Sequence, residues 1–287
     1  MKAVIFAILC LAAWMAPGLF VGTANALLGG ALNGPAGRVA YVAYAVSALL
    51  LLLGITWLSL RRDGESLRDL GLTLDIRRLR EFAFGVAVTA VLFAGCALVR
   101  AAWVGASWRF EGTAGLGAAL VALPIAFLLM APEELVFRGY GFRQLTAAYG
   151  PRVTIAVSAL AFGVYHLAQT GFGMWGIGAF WVVALPALGG IVFGMAMVQT
   201  NGLALPLGLH LGGNWFQASV FRLGGPTDGA ATALFTAPVT SAQAQILWSP
   251  DPLPHVPYLV MMAGAAILVA RWRTSARADR LGAATTS

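Results

Sequence analysis

The chain has 287 residues, 60% of them hydrophobic and only 10% charged, with a mean hydropathy of +0.82. Soluble domains carry about 25% charged residues. This chain therefore lacks the polar surface of one, and its repeated apolar runs near the ~20 residues that cross a bilayer point to an all-α, polytopic transmembrane helix bundle. The net charge of +7 would favour nucleic acid in a soluble protein. Here the arginines flank apolar segments as topology signals and contacts to anionic lipid, leaving no aromatic-basic surface for nucleic acid.

About eight apolar segments follow in chain order: 3–22, 39–60, 82–104, 114–135, 152–170, 174–198, 202–221 and 256–270. The first, in "MKAVIFAILCLAAWMAPGLFVGTANA", reads as a span. A signal peptide cleaved at Ala24-Asn25-Ala26 is the alternative, although its apolar part is longer than a usual signal core. With the N-terminus inside, the inner side collects Lys2, Arg61, Arg62, Arg68, Arg77, Arg78, Arg80, Arg138, Arg143, Arg152, Arg271, Arg273, Arg277 and Arg280. Only Arg38, Arg100, Arg109 and Arg222 fall outside. That positive-inside bias puts both termini in the cytoplasm. Residues 61–80, "RRDGESLRDLGLTLDIRRLR", alternate Leu and Ile76 with charge, as a short amphipathic surface element or a solvated loop does.

Residues 223–254 read as an outer loop with no legible chemistry, and His255, between prolines, as an interface residue. Cys10 and Cys96 lie inside apolar segments as packed thiols, with neither a disulfide framework nor a zinc spacing. Gly190 and Gly194 have the four-residue spacing of close helix packing. No repeat or boundary divides the chain, so residues 1–287 form one membrane domain. Alanine, glycine and arginine richness with the single lysine Lys2 points to a bacterial inner membrane.

Three polar pairs interrupt the spans at helical i, i+4 spacing: Glu134 and Arg138 in "EELVFR", Phe162 and His166 in "FGVYH", and His210 and Asn214 in "HLGGN". Singly, each has a plain structural reading as an interfacial ion pair, a satisfied core histidine or an inter-helix hydrogen bond. Jointly they place a carboxylate, two imidazoles and a carboxamide on three membrane helices, where each polar group costs a few kcal/mol. Glu133, about 100° around the helix from Glu134, is free to face another partner. A carboxylate with a histidine can deprotonate water, and a second His with an Asn can donate to an oxyanion. No Ser or Cys nucleophile motif accompanies them.

In that order, "EELVFR", "FGVYH" and "HLGGN" resemble the EExxxR, FxxxH and HxxxN signatures of the CAAX protease and bacteriocin-processing family (CPBP, or Abi). These are Rce1-like intramembrane glutamate endopeptidases. The resemblance covers about residues 115–220. It implies a conical catalytic cavity in the membrane and hydrolysis of a peptide bond in a membrane-bound or lipidated protein or peptide. By the same resemblance, Glu133 and His166 activate the water, His210 and Asn214 hold the oxyanion, and Glu134, Arg138 and Phe162 support them, with no metal or cofactor. Two other readings remain at this stage: a membrane metalloprotease using the same Glu/His cluster, and a non-enzymatic transporter or immunity scaffold. One requirement is steric. His166 lies ~20 Å along its helix from Arg152, so it meets Glu133 only if the fifth helix starts in the cytosol or tilts steeply.

Overall fold

The computed structural model describes residues 2–10, 12–14, 35–169, 176–224 and 233–272. Its helices, in chain order, are α1 (Lys2–Trp14), α2 (Pro35–Arg62), α3 (Ile76–Val104), α4 (Gly112–Arg138), α5 (Tyr140–Gln169), α6 (Ile177–Thr200), α7 (Ala204–Trp215), α8 (Ser241–Leu247) and α9 (Val256–Arg271). Five apolar runs among the described residues are long enough to cross a membrane: Val39–Arg62, Ile76–Val104, Gly112–Leu167, Gly178–Thr200 and Leu253–Arg271. The protein is an integral membrane helix bundle. Large apolar side chains such as Leu50, Val91, Val121, Leu160 and Val260 point outward, as a lipid-facing surface requires.

The expected eight segments are five by this measure, for three local reasons. Residues 15–22 of the first segment lie outside the described residues. The fourth and fifth belong to one apolar run, Gly112–Leu167, divided into α4 and α5 at Gly139. The seventh is α7, only 12 residues long and continued by a π turn, Phe216–Val220. Pro124 and Pro132 do not interrupt α4.

Within α5, Gly150 (φ 78°) breaks the helix ahead of Pro151, a left-handed conformation that glycine adopts without steric penalty. The leg from Pro151 returns antiparallel to α4, and the Ser158 hydroxyl donates to the Phe137 carbonyl at 2.7 Å. Seven residues separate Pro151 from Ser158, so this leg starts ~10 Å beyond the level of Phe137. That overhang supplies the steric requirement read from the sequence: it brings Tyr165 and His166 back to the level of Glu133.

Glycines set the closest helix approaches. A Cβ at Gly85 of α3 would come within 2.6 Å of the Leu209 nitrogen, and one at Gly212 within 2.7 Å of the Val86 Cα. Gly208 abuts the Phe82 carbonyl in the same seam. Short α7 is thereby pressed against α3, with His210 and Asn214 held beside that seam. Gly190 and Gly194 of α6 face Ala159 and Ile155 of α5, the packing their spacing implied.

The basic end of the bundle is tied by polar contacts. Lys2 Nζ lies 2.5 Å from Asp63, which also accepts from the Tyr140 hydroxyl at 2.8 Å and from Gln144 at 3.0 Å. The Lys2 hydrogen bond, then that of Tyr140, holds the Asp63 carboxyl below the usual carboxylate range. Residues 61–80 are a docked connection: a 3-10 turn, Leu67–Leu70, capped by Ser66 and Asp69, and then the start of α3, capped by Asp75. Leu70 is wholly buried, and its carbonyl accepts from the Leu203 N–H at 2.9 Å. At the opposite end lies a small sheet of β1 (Arg109–Phe110), β2 (Phe221–Leu223) and β3 (Phe235–Ala237), in the order β1-β3-β2. Strand β3 runs antiparallel to β1 and parallel to β2, aligning Phe110, Phe235 and Phe221. Residues 233–254 are therefore structured rather than an open loop, while 225–232 lie outside the described residues.

Candidate active site

The last two turns of α4 carry Glu133, Glu134 and Arg138, all buried, at 6%, 1% and 0% exposure. Arg138 is thus part of the core and no marker of topology. Its guanidinium donates to Glu134 Oε1 at 3.1 Å and lies 4.4 Å from the Phe162 ring and 5.2 Å from the Phe193 ring. The i, i+4 pair read from the sequence is formed. Buried ion pairs hold only when further hydrogen bonds satisfy them, and here α7 supplies one. His210 Nδ1 lies 2.8 Å from the same Glu134 oxygen. A carboxylate paired with arginine only accepts, so Nδ1 carries the hydrogen and Nε2 is the nitrogen turned elsewhere. That Nε2 stands 3.7 Å from Glu133 Oε2.

Glu133 has the freedom its position around the helix implied. Its Oε1 accepts from the Tyr165 hydroxyl at 3.4 Å, while Oε2 is buried with no hydrogen-bond partner among the described residues. His166, next to Tyr165, gives Nδ1 to the Phe162 carbonyl at 2.8 Å, within its own helix. Because a carbonyl cannot donate, that bond fixes the tautomer and leaves the neutral ring's lone pair on Nε2. Phe162 packs edge-on to both imidazoles, with centroids 4.6 Å from His166 and 5.5 Å from His210, and Phe193 stacks on His210 at 4.9 Å. The Asn214 amide donates to Met130 Sδ at 2.7 Å, a weak acceptor that a better one would readily replace.

A cavity of about 530 Å³ opens beside these groups and is lined by His166, His210 and Asn214. Glu133 does not line it and adjoins it through His210. Of the seven residues singled out in the sequence, Glu133, Glu134, Arg138, Phe162, His166 and His210 are linked by contacts where α4, α5 and α7 meet, and Asn214 joins His166 and His210 on the cavity wall. Four participants had no signal in the sequence: Tyr165, Met130, Phe193, and His210 as partner of Glu134. These contacts run between helices, and spacing along one helix does not report them. His255 stands at the start of the apolar run Leu253–Arg271, and it is buried and lines the same cavity. Among the described residues, no three His, Cys, Asp or Glu side chains gather in a geometry that would hold a metal ion.

The family model described as Type II CAAX prenyl endopeptidase Rce1-like matches residues 115–216. The chain carries an Rce1-like core. That core runs from within α4 to just past α7 and contains all seven of the residues above. No curated protein and no solved structure matches the chain. The Rce1-like match, together with the membrane-spanning helices, supports an intramembrane protease of the CAAX type in general terms.

Proposed function

We propose that the protein is an intramembrane glutamate endopeptidase that hydrolyses a peptide bond of a membrane-associated or lipidated protein or peptide, with water activated by Glu133 and His166 and no metal ion. The observation that carries this reading is the buried, unpartnered Oε2 of Glu133. It is held 3.7 Å from the Nε2 of His210, which lines the cavity together with His166 and Asn214.

In this mechanism Glu133 takes a proton from a water oriented by His166 Nε2. The water oxygen bonds to the scissile carbonyl carbon, and the resulting oxyanion accepts from Asn214 Nδ2–H and from His210 Nε2–H, the His210 ring acting as an imidazolium with both nitrogens protonated and Nδ1–H held by Glu134. The C–N bond then breaks, and the departing nitrogen receives the proton that Glu133 holds. Glu134 and Arg138 act by positioning: they fix the His210 ring through Nδ1, and the apolar box of Phe162 and Phe193 excludes water around it. The substrate stays at class level, a peptide segment presented within or beside the bilayer.

The test in cells is a comparison of protein termini in membrane fractions from wild-type and Glu133→Ala strains. New termini that disappear in the variant, while the variant protein accumulates normally in the membrane, are the expected result. Identical termini in the two strains would refute the proposal.

A further inference from the structure

Five helices wall the cavity, and each does so with the part of its length that lies away from the basic end. On α3 the lining starts at Thr89, on α5 at Phe162 and on α7 at Leu209, and no earlier residue of those helices takes part. α6 and α9 run the opposite way. α6 lines the cavity from Gly178 to Phe193 but not over the stretch that ends at Thr200, and α9 does so only through Tyr258 and Met262 in its opening turns.

The parts left out meet at the basic end and close it. There the Thr200 carbonyl accepts from Arg77 and Arg78 of α3, both at 3.2 Å, and the buried Glu81 accepts from the same two arginines at 3.0 and 2.7 Å. The Gln199 amide donates to the Trp272 carbonyl at 2.6 Å, and the Trp272 ring stacks on Phe84 at 4.0 Å. Leu70, Leu203 and Leu205 are buried at this end too. The other end is open. Leu209, His210 and Gly213 are buried on the cavity wall, whereas Gln217, further along the same chain direction, is exposed. Trp248, which also lines the cavity, is 57% exposed. The mouth therefore lies at the end away from Arg77 and Arg78.

Charge tells the two ends apart. The closed end carries Lys2, Arg61, Arg62, Arg68, Arg80 and Arg152 on its exposed surface, whereas the sheet at the opposite end holds Arg109 and Arg222. Basic residues flanking membrane spans are retained on the cytoplasmic side. Removing buried Arg138 from the inner set, as its place in the core requires, leaves that bias intact.

We propose that the active-site cavity opens to the extracytoplasmic side and takes its substrate from there, as an exported peptide or the outer juxtamembrane stretch of an anchored protein. A cytoplasmic tail, lipidated or not, is no substrate, because the closed end stands between it and Glu133. The walls on the way in are apolar, formed by Val182, Leu185, Pro186 and Met262, so the entering segment is mostly apolar as well. This inference rests on the proteolytic reading and adds the compartment from which that site is fed.

Two measurements on the full-length protein in bacterial spheroplasts test it. In the first, Gln217→Cys at the mouth and Arg68→Cys at the closed end are treated with a membrane-impermeant maleimide, and the wild type, whose Cys10 and Cys96 are buried, gives the blank. Gln217→Cys is expected to react in intact spheroplasts and Arg68→Cys only after permeabilisation. A Gln217→Cys protein that fails to react before permeabilisation, or an Arg68→Cys protein that does react, overturns the proposal. In the second, a randomised peptide segment is fused to the outer or to the cytoplasmic side of a single-span anchor, and cuts that vanish in Glu133→Gln are scored by mass spectrometry. Cuts in the outer fusion alone are expected. Glu133-dependent cuts in the cytoplasmic fusion overturn the outward assignment and leave the protease reading standing. No Glu133-dependent cut in either fusion, with the labelling as expected, overturns the protease reading and the substrate assignment with it.

Discussion

Two arginines reach into the protein, and their surroundings differ. Arg138 is wholly buried, shares Glu134 with His210, and is boxed by three phenylalanine rings. Arg100 lies on a cavity wall with a backbone carbonyl and a tryptophan face and, among the described residues, no carboxylate. The first cation is balanced inside the fold, so its role ends in holding other side chains still. The second has no such carboxylate, although both arginines leave a buried Nε without a hydrogen-bond partner among the described residues. The difference separates a cation balanced by a carboxylate within the fold from one that is not, although the residue type is the same.

The largest way to break that contrast is Arg138→Met. It strands a buried carboxylate, and losing one partner of a buried pair costs about 3–5 kcal/mol. A large drop in melting temperature in nanodiscs is expected. Adding Glu134→Leu to it should recover part of the stability and none of the hydrolysis, because His210 then loses the acceptor at Nδ1. Next comes Asn214→Ala. Its amide bonds only a thioether, so melting should change little, whereas loss of an oxyanion donor should lower turnover about 10²–10³-fold.

Arg100→Met sharpens the contrast from the other side. No partner carboxylate is left behind, so thermal stability should fall by less than for Arg138→Met. A loss as large as that of Arg138→Met would mean that Arg100 is a structural group after all. The smallest effect is at the basic end, in Asp63→Asn. The folded carboxyl is held low by Lys2 and Tyr140. Its contribution is therefore present above the ordinary carboxylate range and lost as pH falls through the folded value. The melting gap between wild type and Asp63→Asn should be modest at pH 7 and close as pH falls below the ordinary carboxylate range.

The legible and illegible parts of the molecule divide along a physical line. Apolar runs read as helices α2, α3, α4, α6 and α9 because burial in lipid is a property of each segment alone. The Glu134–Arg138 pair was legible because helical geometry alone decides i, i+4 neighbours. The kink at Gly150 leaves no signal of its own, and the apolar run from 152 hides the start of α5 at Tyr140, because Gly-Pro resembles any loop when its neighbours are apolar. Residues 202–221 were long enough to be taken for a full span, yet α7 stops after 12 residues, where a π turn takes over. The Glu134–His210 contact, the reach of Tyr165 to Glu133 and the arrival of Arg100 and His255 in one cavity all depend on which helices are neighbours. That is set by glycine seams such as Gly85 with Gly208, whose partners no local pattern names.

The most direct test of the central claim is the initial rate of peptide hydrolysis by purified protein in nanodiscs, wild type against Glu133→Gln, with melting temperature measured on the same samples. Removing a general base costs about 10²–10⁴-fold. The account predicts a rate lowered by at least about 10²-fold, with the melt unchanged or slightly raised, since an unpartnered buried oxygen is replaced by an amide. A folded Glu133→Gln protein that hydrolyses peptide at the wild-type rate would contradict it.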